Sequence, residues 1–253
     1  MKRKFNNTNN QLLCWGRNTV LSMLEAQPDI CSSIQISSSA RGEAIERIRE
    51  TAGRYAIPVE MVSSERLELL CNDDNHQGVA GLLKTSPVKS LEEFLSWQLK
   101  DQDKSLLVML DHIQDPHNMG AVIRSAESAG AEGVIYPDRR SASINGTVLK
   151  VSAGAAFRIP LLQVVNLSRS LDTLKKKGYW IIGLDQAGHD TIWTSPLPAR
   201  MVLVLGSEGK GLSRLVRENC DELRRVPMKG STGSLNVSVA SAIGIFEWLR
   251  CHG

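Results

Sequence analysis

Two loops rich in glycine, serine and asparagine hold the residue types best suited to gripping a small molecule through backbone groups. In the first, Val226-Pro227-Met228-Lys229-Gly230-Ser231-Thr232-Gly233-Ser234-Leu235-Asn236-Val237-Ser238-Val239-Ala240, a buried strand from Leu223 to Met228 runs into a small-residue loop. A helix starts near Asn236, a favoured N-cap, with Val239, Ile243, Phe246 and Leu249 at helical spacing. In the second, the apolar run Met201–Leu205 reads as a strand buried on both faces. It ends in Gly206-Ser207-Glu208-Gly209-Lys210-Gly211, with a helix from about Ser213. Open α/β sheets place ligands between strand ends and helix N-termini, so two such loops imply one shared ligand; two ligand-free tight turns are the plain alternative. The glycine order matches neither the dinucleotide fingerprint nor the phosphate loop, and the Glu208 carboxylate would repel a phosphate. The expectation is a crowded, uncharged pocket for a nucleoside-type ligand without phosphate, of which S-adenosylmethionine is one.

A third loop, Asp111-His112-Ile113-Gln114-Asp115-Pro116-His117-Asn118-Met119-Gly120, follows the apolar strand Leu106–Leu110 and precedes a helix from Ala121 to Ala129. Arg124 lies in that helix between apolar neighbours. Helix arginines are ordinarily solvated; the nearness of Asn118 makes Arg124 a site candidate as well. Arg139 and Arg140, in the polar loop after the strand Gly133–Tyr136, can hold phosphate or form an ordinary exposed pair.

The elements that must carry these loops alternate. Residues 105–253 read as strands at 106–110, 133–136, 179–185, 201–205 and 223–228 with helices between them, which gives a parallel sheet covered on both faces. The helix Asn166–Lys177 ends in Lys175, Lys176 and Lys177, where positive charge suits the helix dipole. Residues 11–83 read as a small α/β unit, with helices at 18–26 and 43–55, strands at 33–37, 58–62 and 79–83, and a short helix at 64–71 capped by Ser64. His76-Gln77-Gly78 reads by default as a structural turn. Residues 84–104, polar and broken by Pro87, read as a linker with one amphipathic piece, and residues 1–10 as a mobile basic tail.

With 253 residues and 42% hydrophobic content, the chain can build a real core. A net charge of +3 permits nucleic-acid binding without announcing it. The five cysteines, Cys14, Cys31, Cys71, Cys220 and Cys251, occur singly, which argues against a zinc ribbon or disulfide framework and for a reducing, cytoplasmic setting. The five histidines are scattered as well, so no metal site is expected. No apolar run reaches membrane-spanning length, and no membrane partner is expected.

Three segments taken together resemble the SpoU/TrmH (SPOUT) family of RNA 2′-O-methyltransferases. Asn118-Met119-Gly120-Ala121-Val122-Ile123-Arg124-Ser125-Ala126 is similar to its first motif, Leu205–Leu212 to its second, and Val226–Met228 with Ser234–Ala240 to its third. Gly16-Arg17-Asn18 and His76-Gln77-Gly78 resemble the substrate-binding domain of the family's ribosomal members. The resemblance implies an α/β methyltransferase domain with a deep trefoil knot, preceded by a small L30e-like α/β domain that grips RNA, expected to be 23S rRNA. It implies a homodimer with the site near the subunit interface, and S-adenosylmethionine as cofactor. It also implies site residues: Asn118, Arg124, Glu208, Ser234 and Asn236 for the chemistry, and Gly206, Val226 and Leu235 for the cofactor. An Arg general base is physically hard, since guanidinium stays protonated. Arg124 is better cast as a clamp on a neighbouring phosphate, with Glu208 orienting Arg124 or the loop and sharing in proton removal. The rivals are a tRNA methyltransferase of the same class, a non-catalytic RNA-binding assembly factor, and a nicotinamide-dependent oxidoreductase, the last weakened by the missing Gly-x-Gly-x-x-Gly.

Overall fold

The longest apolar runs of the chain lie side by side at the centre of one parallel sheet. A computed structural model describes residues 12–72, 74–97, 103–231 and 233–253; the tail expected at 1–10 lies outside them. The chain divides into two units, Met1–Ser86 and Pro87–Gly253.

The first unit runs β1 (Leu12–Trp15), α1 (Arg17–Ala26), β2 (Cys31–Ser37), α2 (Glu43–Arg54), β3 (Val59–Val62), α3 (Ser64–Leu70) and β4 (Val79–Leu83). Its mixed sheet has the order β1-β4-β2-β3, with only β2 and β3 parallel. Helix α1 packs so closely on one face that a Cβ at Gly81 would lie 2.9 Å from Met23 Cε. On the other face Leu67 and Cys71 cluster with Trp15, Val62 and Ala80. The α3 cap is Ser63, whose side chain accepts from the Arg66 amide. Ser64, expected to cap, is the first helical residue instead, and its hydroxyl turns to Ser37 and Ser39.

The second unit runs β5 (Val88–Ser90), α4 (Leu91–Trp97), β6 (Ser105–Asp111), α5 (Pro116–Ser128), β7 (Gly133–Pro137), α6 (Gly146–Val151), β8 (Leu161–Val164) and α7 (Leu167–Lys176). It continues through β9 (Trp180–Leu184), β10 (Asp190–Thr191), β11 (Arg200–Gly206), α8 (Arg214–Glu218), β12 (Glu222–Arg225) and α9 (Val237–His252). All neighbours in the eight-stranded order β10-β12-β9-β11-β6-β7-β8-β5 are parallel. Strands β6 to β8 build outward on one side of β6, and β9, β11 and β12 on the other. The reversal falls between β6 and β11, whose C-terminal residues Asp111 and Gly206 are partners in register. That is where an open parallel sheet leaves a crevice.

Both faces are covered. Leu171, Leu174, Val216 and Phe94 pack with Met109, Val202 and Val204 on one face. On the other, α9 approaches β11 closely enough that a Cβ at Gly244 would sit 2.8 Å from Leu203 Cδ2. Part of the expected linker is thus core: β5 pairs with β8, and Phe94 of α4 is fully buried. Burying one such aromatic contributes about 2 kcal/mol, which outweighs the polar character of the residues around it. Two other expectations shift. Helix α5 begins at Pro116 rather than Ala121, because the Asp115 side chain caps it and proline suits the first helical position. Strand β12 stops at Arg225 rather than Met228; Pro227 has no amide hydrogen to extend a ladder.

Candidate active site

The crevice at the β6/β11 reversal is lined by the ends of four strands. After β11, the chain turns back on itself: the Ser207 amide donates to the Gly211 carbonyl at 3.1 Å, and the Gly211 amide to the Ser207 carbonyl at 2.9 Å. Gly206 permits this turn, since a Cβ there would lie 2.2 Å from the Gly211 carbonyl carbon. Gly209 and Gly211 have φ of 75° and 65°, the left-handed region that glycine adopts without strain. Behind the turn, the buried Asp111 carboxylate accepts the Ser213 amide at 2.6 Å and lies 2.5 Å from His112 Nδ1. It thereby ties the end of β6 to the start of α8.

Three of the expected chemical residues meet. Asn118 Nδ2 donates to Glu208 Oε1 at 3.0 Å, and Asn236 Nδ2 donates to the same oxygen at 2.7 Å and to Asn118 Oδ1 at 3.0 Å. Asn236 also caps α9, its Oδ1 accepting from the Ser238 amide at 2.9 Å. Each comes from a different loop or helix start, so the triangle locks α5, the 206–211 turn and α9 together. Among the described residues, no group donates to Glu208 Oε2.

Two cavities adjoin this triangle. The first, about 460 Å³, is lined by Gly206, Val226 and Leu235, the residues carried over for the cofactor, and also by Ser234, Glu208, Leu205, Val237 and Ala240. The second, about 540 Å³, is lined by Asn118, His112, Arg140 and Asp115. Ser207, Glu208, Lys210, Gly211 and Val237 border both.

The first cavity is not uncharged, as the small-residue loops led one to expect. Asp185, Glu208, Lys210 and Arg217 share its wall, and Asp185 Oδ2 pairs with Arg217 at 2.7 Å. Asp185 and Gln186 follow β9 and Arg217 sits in α8; none was singled out from sequence. The available signal was position alone, since Asp185 closes an apolar strand in a parallel sheet. Arg124 is not brought into either cavity. It is exposed on α5 and, among the described residues, makes no hydrogen bond or ion pair. Glu208 holds the two asparagines rather than Arg124. Arg140, with φ of 57°, does reach the second cavity, whereas Arg139 is exposed outside it.

The walls suit a nucleoside with both charged and neutral parts. Leu205, Val226, Leu235 and Val237 offer apolar contact, backbone groups of the two glycine turns offer hydrogen bonds, and the carboxylates and Arg217 offer partners for opposite charges. The volume lies in the range of small-molecule sites. S-adenosylmethionine has these features, and the residues fit it.

A family profile described as "SpoU rRNA Methylase family" matches residues 105–246, and one described as "RNA 2'-O ribose methyltransferase substrate binding" matches residues 13–88. The chain is 40% identical over 235 residues to the 23S rRNA (guanosine-2'-O-)-methyltransferase RlmB of Xanthomonas campestris, covering 93% of this chain and 94% of the relative. It is 38% identical to the RlmB of Pseudomonas aeruginosa, covering 93% and 95%. Among solved structures, an RNA 2′-O ribose methyltransferase aligns with a TM-score of 0.80 at 24% identity, over 98% of this chain and 92% of that one. The SpoU methyltransferase AviRb of Streptomyces viridochromogenes, in complex with AdoMet, aligns with a TM-score of 0.79 at 21% identity, over 95% and 90%. These two likenesses concern the fold.

Proposed function

The chain belongs to the SpoU rRNA methylase family, and on that premise we propose that it transfers a methyl group from S-adenosylmethionine to the ribose 2′-hydroxyl of a guanosine in 23S rRNA. The observation that carries the reading is the Asn118–Glu208–Asn236 triangle on the border of two cavities, one fit for the methyl donor and one open for the acceptor ribose. Only RNA offers the 2′-hydroxyl.

S-adenosylmethionine, when bound, supplies an electrophilic methyl group, so no Lewis acid is needed. The chain must align the attacking oxygen and take its proton. Gly206, Val226 and Leu235 hold the donor, largely through backbone and apolar contact. Asn118, Asn236 and Ser234 hold the ribose and the loops. Glu208 Oε1 is committed to the two asparagines, and Oε2 is left to accept the proton of the 2′-hydroxyl. Arg124, exposed and unpaired, clamps a backbone phosphate beside the reacting ribose and steadies the developing negative charge. Arg140 serves the same RNA from the second cavity. Positioning of this kind can supply much of the barrier reduction.

The protein acts as a homodimer. Support comes from α9, whose inner side is buried while Val239 and Phe246 on its outer side are 49% and 45% exposed. An apolar face of that kind marks an interaction surface. The C-terminal segment is read as threaded into a knot, and the chain after β9 lies close against β12, where a Cβ at Gly188 would lie 2.7 Å from the Leu223 carbonyl oxygen. A cytoplasmic setting fits the thiols: the five cysteines are not in disulfides, and burial pushes Cys31 up to about 11 and Cys220 up to about 12, so both stay protonated and inert. No described helix is long and apolar enough to cross a membrane.

The test is incubation with labelled S-adenosylmethionine and unmodified 23S rRNA or tRNA, followed by nucleoside mapping. A single 2′-O-methylguanosine in 23S rRNA is expected. Label in tRNA, or in no RNA, overturns the reading. Arg124→Ala should abolish methylation and leave donor affinity nearly intact; equal loss of both would remove Arg124 from the proposed role.

A further inference from the structure

The first unit has its own cavity, of about 420 Å³, where β2, α1, α3 and the His76-Gln77-Gly78 turn meet. Its wall presents two guanidiniums, Arg17 and Arg41, beside a cluster of three hydroxyls. Ser37 Oγ lies 2.7 Å from Ser64 Oγ and 2.9 Å from Ser39 Oγ, and Ser39 Oγ lies 3.2 Å from Ser64 Oγ.

How the arginines are held is the informative point. Arg17 Nε donates to the Gln77 carbonyl at 3.1 Å, while its backbone amide donates to Gln77 Oε1 at 2.9 Å. Arg41 Nη1 donates to the carbonyls of Ser38 at 2.6 Å and Ala40 at 2.8 Å. Carbonyls fix a guanidinium without cancelling its charge. Among the described residues, neither arginine has a carboxylate partner, and Glu43 pairs with neither. Gly42 has φ of 111°, and a Cβ there would lie 3.4 Å from Arg17 Nη1. The remaining groups are donors too. His76 Nδ1 accepts the Gly78 amide at 3.0 Å, which leaves its ring hydrogen on Nε2. Any serine hydroxyl that turns outward can donate while its neighbours stay paired. On the far side of the turn a separate hollow is lined by Glu68 and Asp74, which would turn an anion away from that side.

Two fixed, uncompensated positive charges, a histidine N–H and hydroxyl donors around one hollow make a receptor for a tetrahedral oxyanion. We propose that this cavity takes a backbone phosphate of the RNA substrate, so that Arg17 and Arg41 anchor the RNA while the second unit performs the chemistry. The inference rests on RNA being the substrate, as argued above.

The test measures binding of a protein-free 23S rRNA transcript to the full chain across a salt series, for the parent, the double variant R17Q/R41Q and S39D. Ser39 is exposed, so its aspartate variant keeps the fold while putting a carboxylate at the rim. Both variants should bind about tenfold or more weakly, and the double variant should show a salt slope lower by about one for a lost phosphate contact. The defect should fall on KM for RNA rather than on kcat, with affinity for S-adenosylhomocysteine at the parent value. Parent-like RNA affinity and salt slope in variants that melt at the parent temperature overturn the site while leaving the methyltransferase reading intact. If the double variant does not fold, S39D alone decides. A parent that binds and methylates no RNA overturns the functional reading and this site together.

Discussion

At the residue scale, the proposed reaction gives Glu208 two duties on two oxygens. Oε1 receives both asparagine amides, and in that proposal Oε2 takes the proton of the acceptor hydroxyl. Glu208→Gln separates these duties, because an amide oxygen still accepts from Asn118 and Asn236 while the basic group is lost. The expected result is a fall in kcat of about 10² to 10⁴, the usual span for general acid–base catalysis, with donor affinity by calorimetry close to the parent. Near-parent turnover in the glutamine variant would make Glu208 a structural clasp only. Its place opposite Asn118 was legible in part. The resemblance grouped both residues and Asn236 in one site, but which of them touch depends on folded distances across 90 and 118 positions of sequence. Asp185 was legible only as the close of an apolar strand and Arg217 not at all, since an ion pair between a strand end and a five-residue helix leaves no local pattern.

At the element scale, the 206–211 turn is the piece with least freedom. Its two reciprocal hydrogen bonds close only if position 206 has no side chain, given the 2.2 Å separation from the Gly211 carbonyl carbon to a built Cβ. Gly206→Ala must open the turn or shift β11. Overpacking of this kind costs about 1–3 kcal/mol, so affinity for S-adenosylhomocysteine should fall about tenfold or more. An unchanged affinity with an intact melting profile would show that the turn does not form the donor site. The strands β6, β7, β9 and β11 were legible because each is a continuous apolar run, the mark of burial on both faces. The sequence places the start of α5 five positions late, at Ala121 rather than Pro116, since Asn118 and Gly120 look like loop residues. The Asp115–Pro116 cap signal outranks them. In α9 the helical spacing of Val239 and Phe246 was right, but periodicity names a stripe without naming which side of the helix meets the sheet.

At the scale of the whole molecule, that outer stripe bears on assembly. Glu placed at Phe246 would put a charge in the middle of the proposed subunit contact. Phe246→Glu should therefore convert the protein from dimer to monomer in light scattering, with methylation falling as well if the proposed contact lies beside the site. A parent that is itself monomeric at working concentrations would sink the dimer. The two-part organisation was legible from alternation of elements and the polar stretch after residue 83. The boundary was not, because β5 and α4 look like linker until Phe94 is seen inside the second core.

The pairing of Gly206 with Asp111 also governs when the protein can become an enzyme. Several contacts that close the crevice join distant stretches, Gly206 with Asp111, Asn118 with Glu208 across 90 positions and Asn118 with Asn236 across 118, and Asn236 enters only with α9. Bringing such distant stretches together costs chain entropy before any contact repays it. A nascent polypeptide therefore carries no working crevice until Asn236 and α9 have been made, and a product cut short before Asn236 lacks the third corner of the triangle.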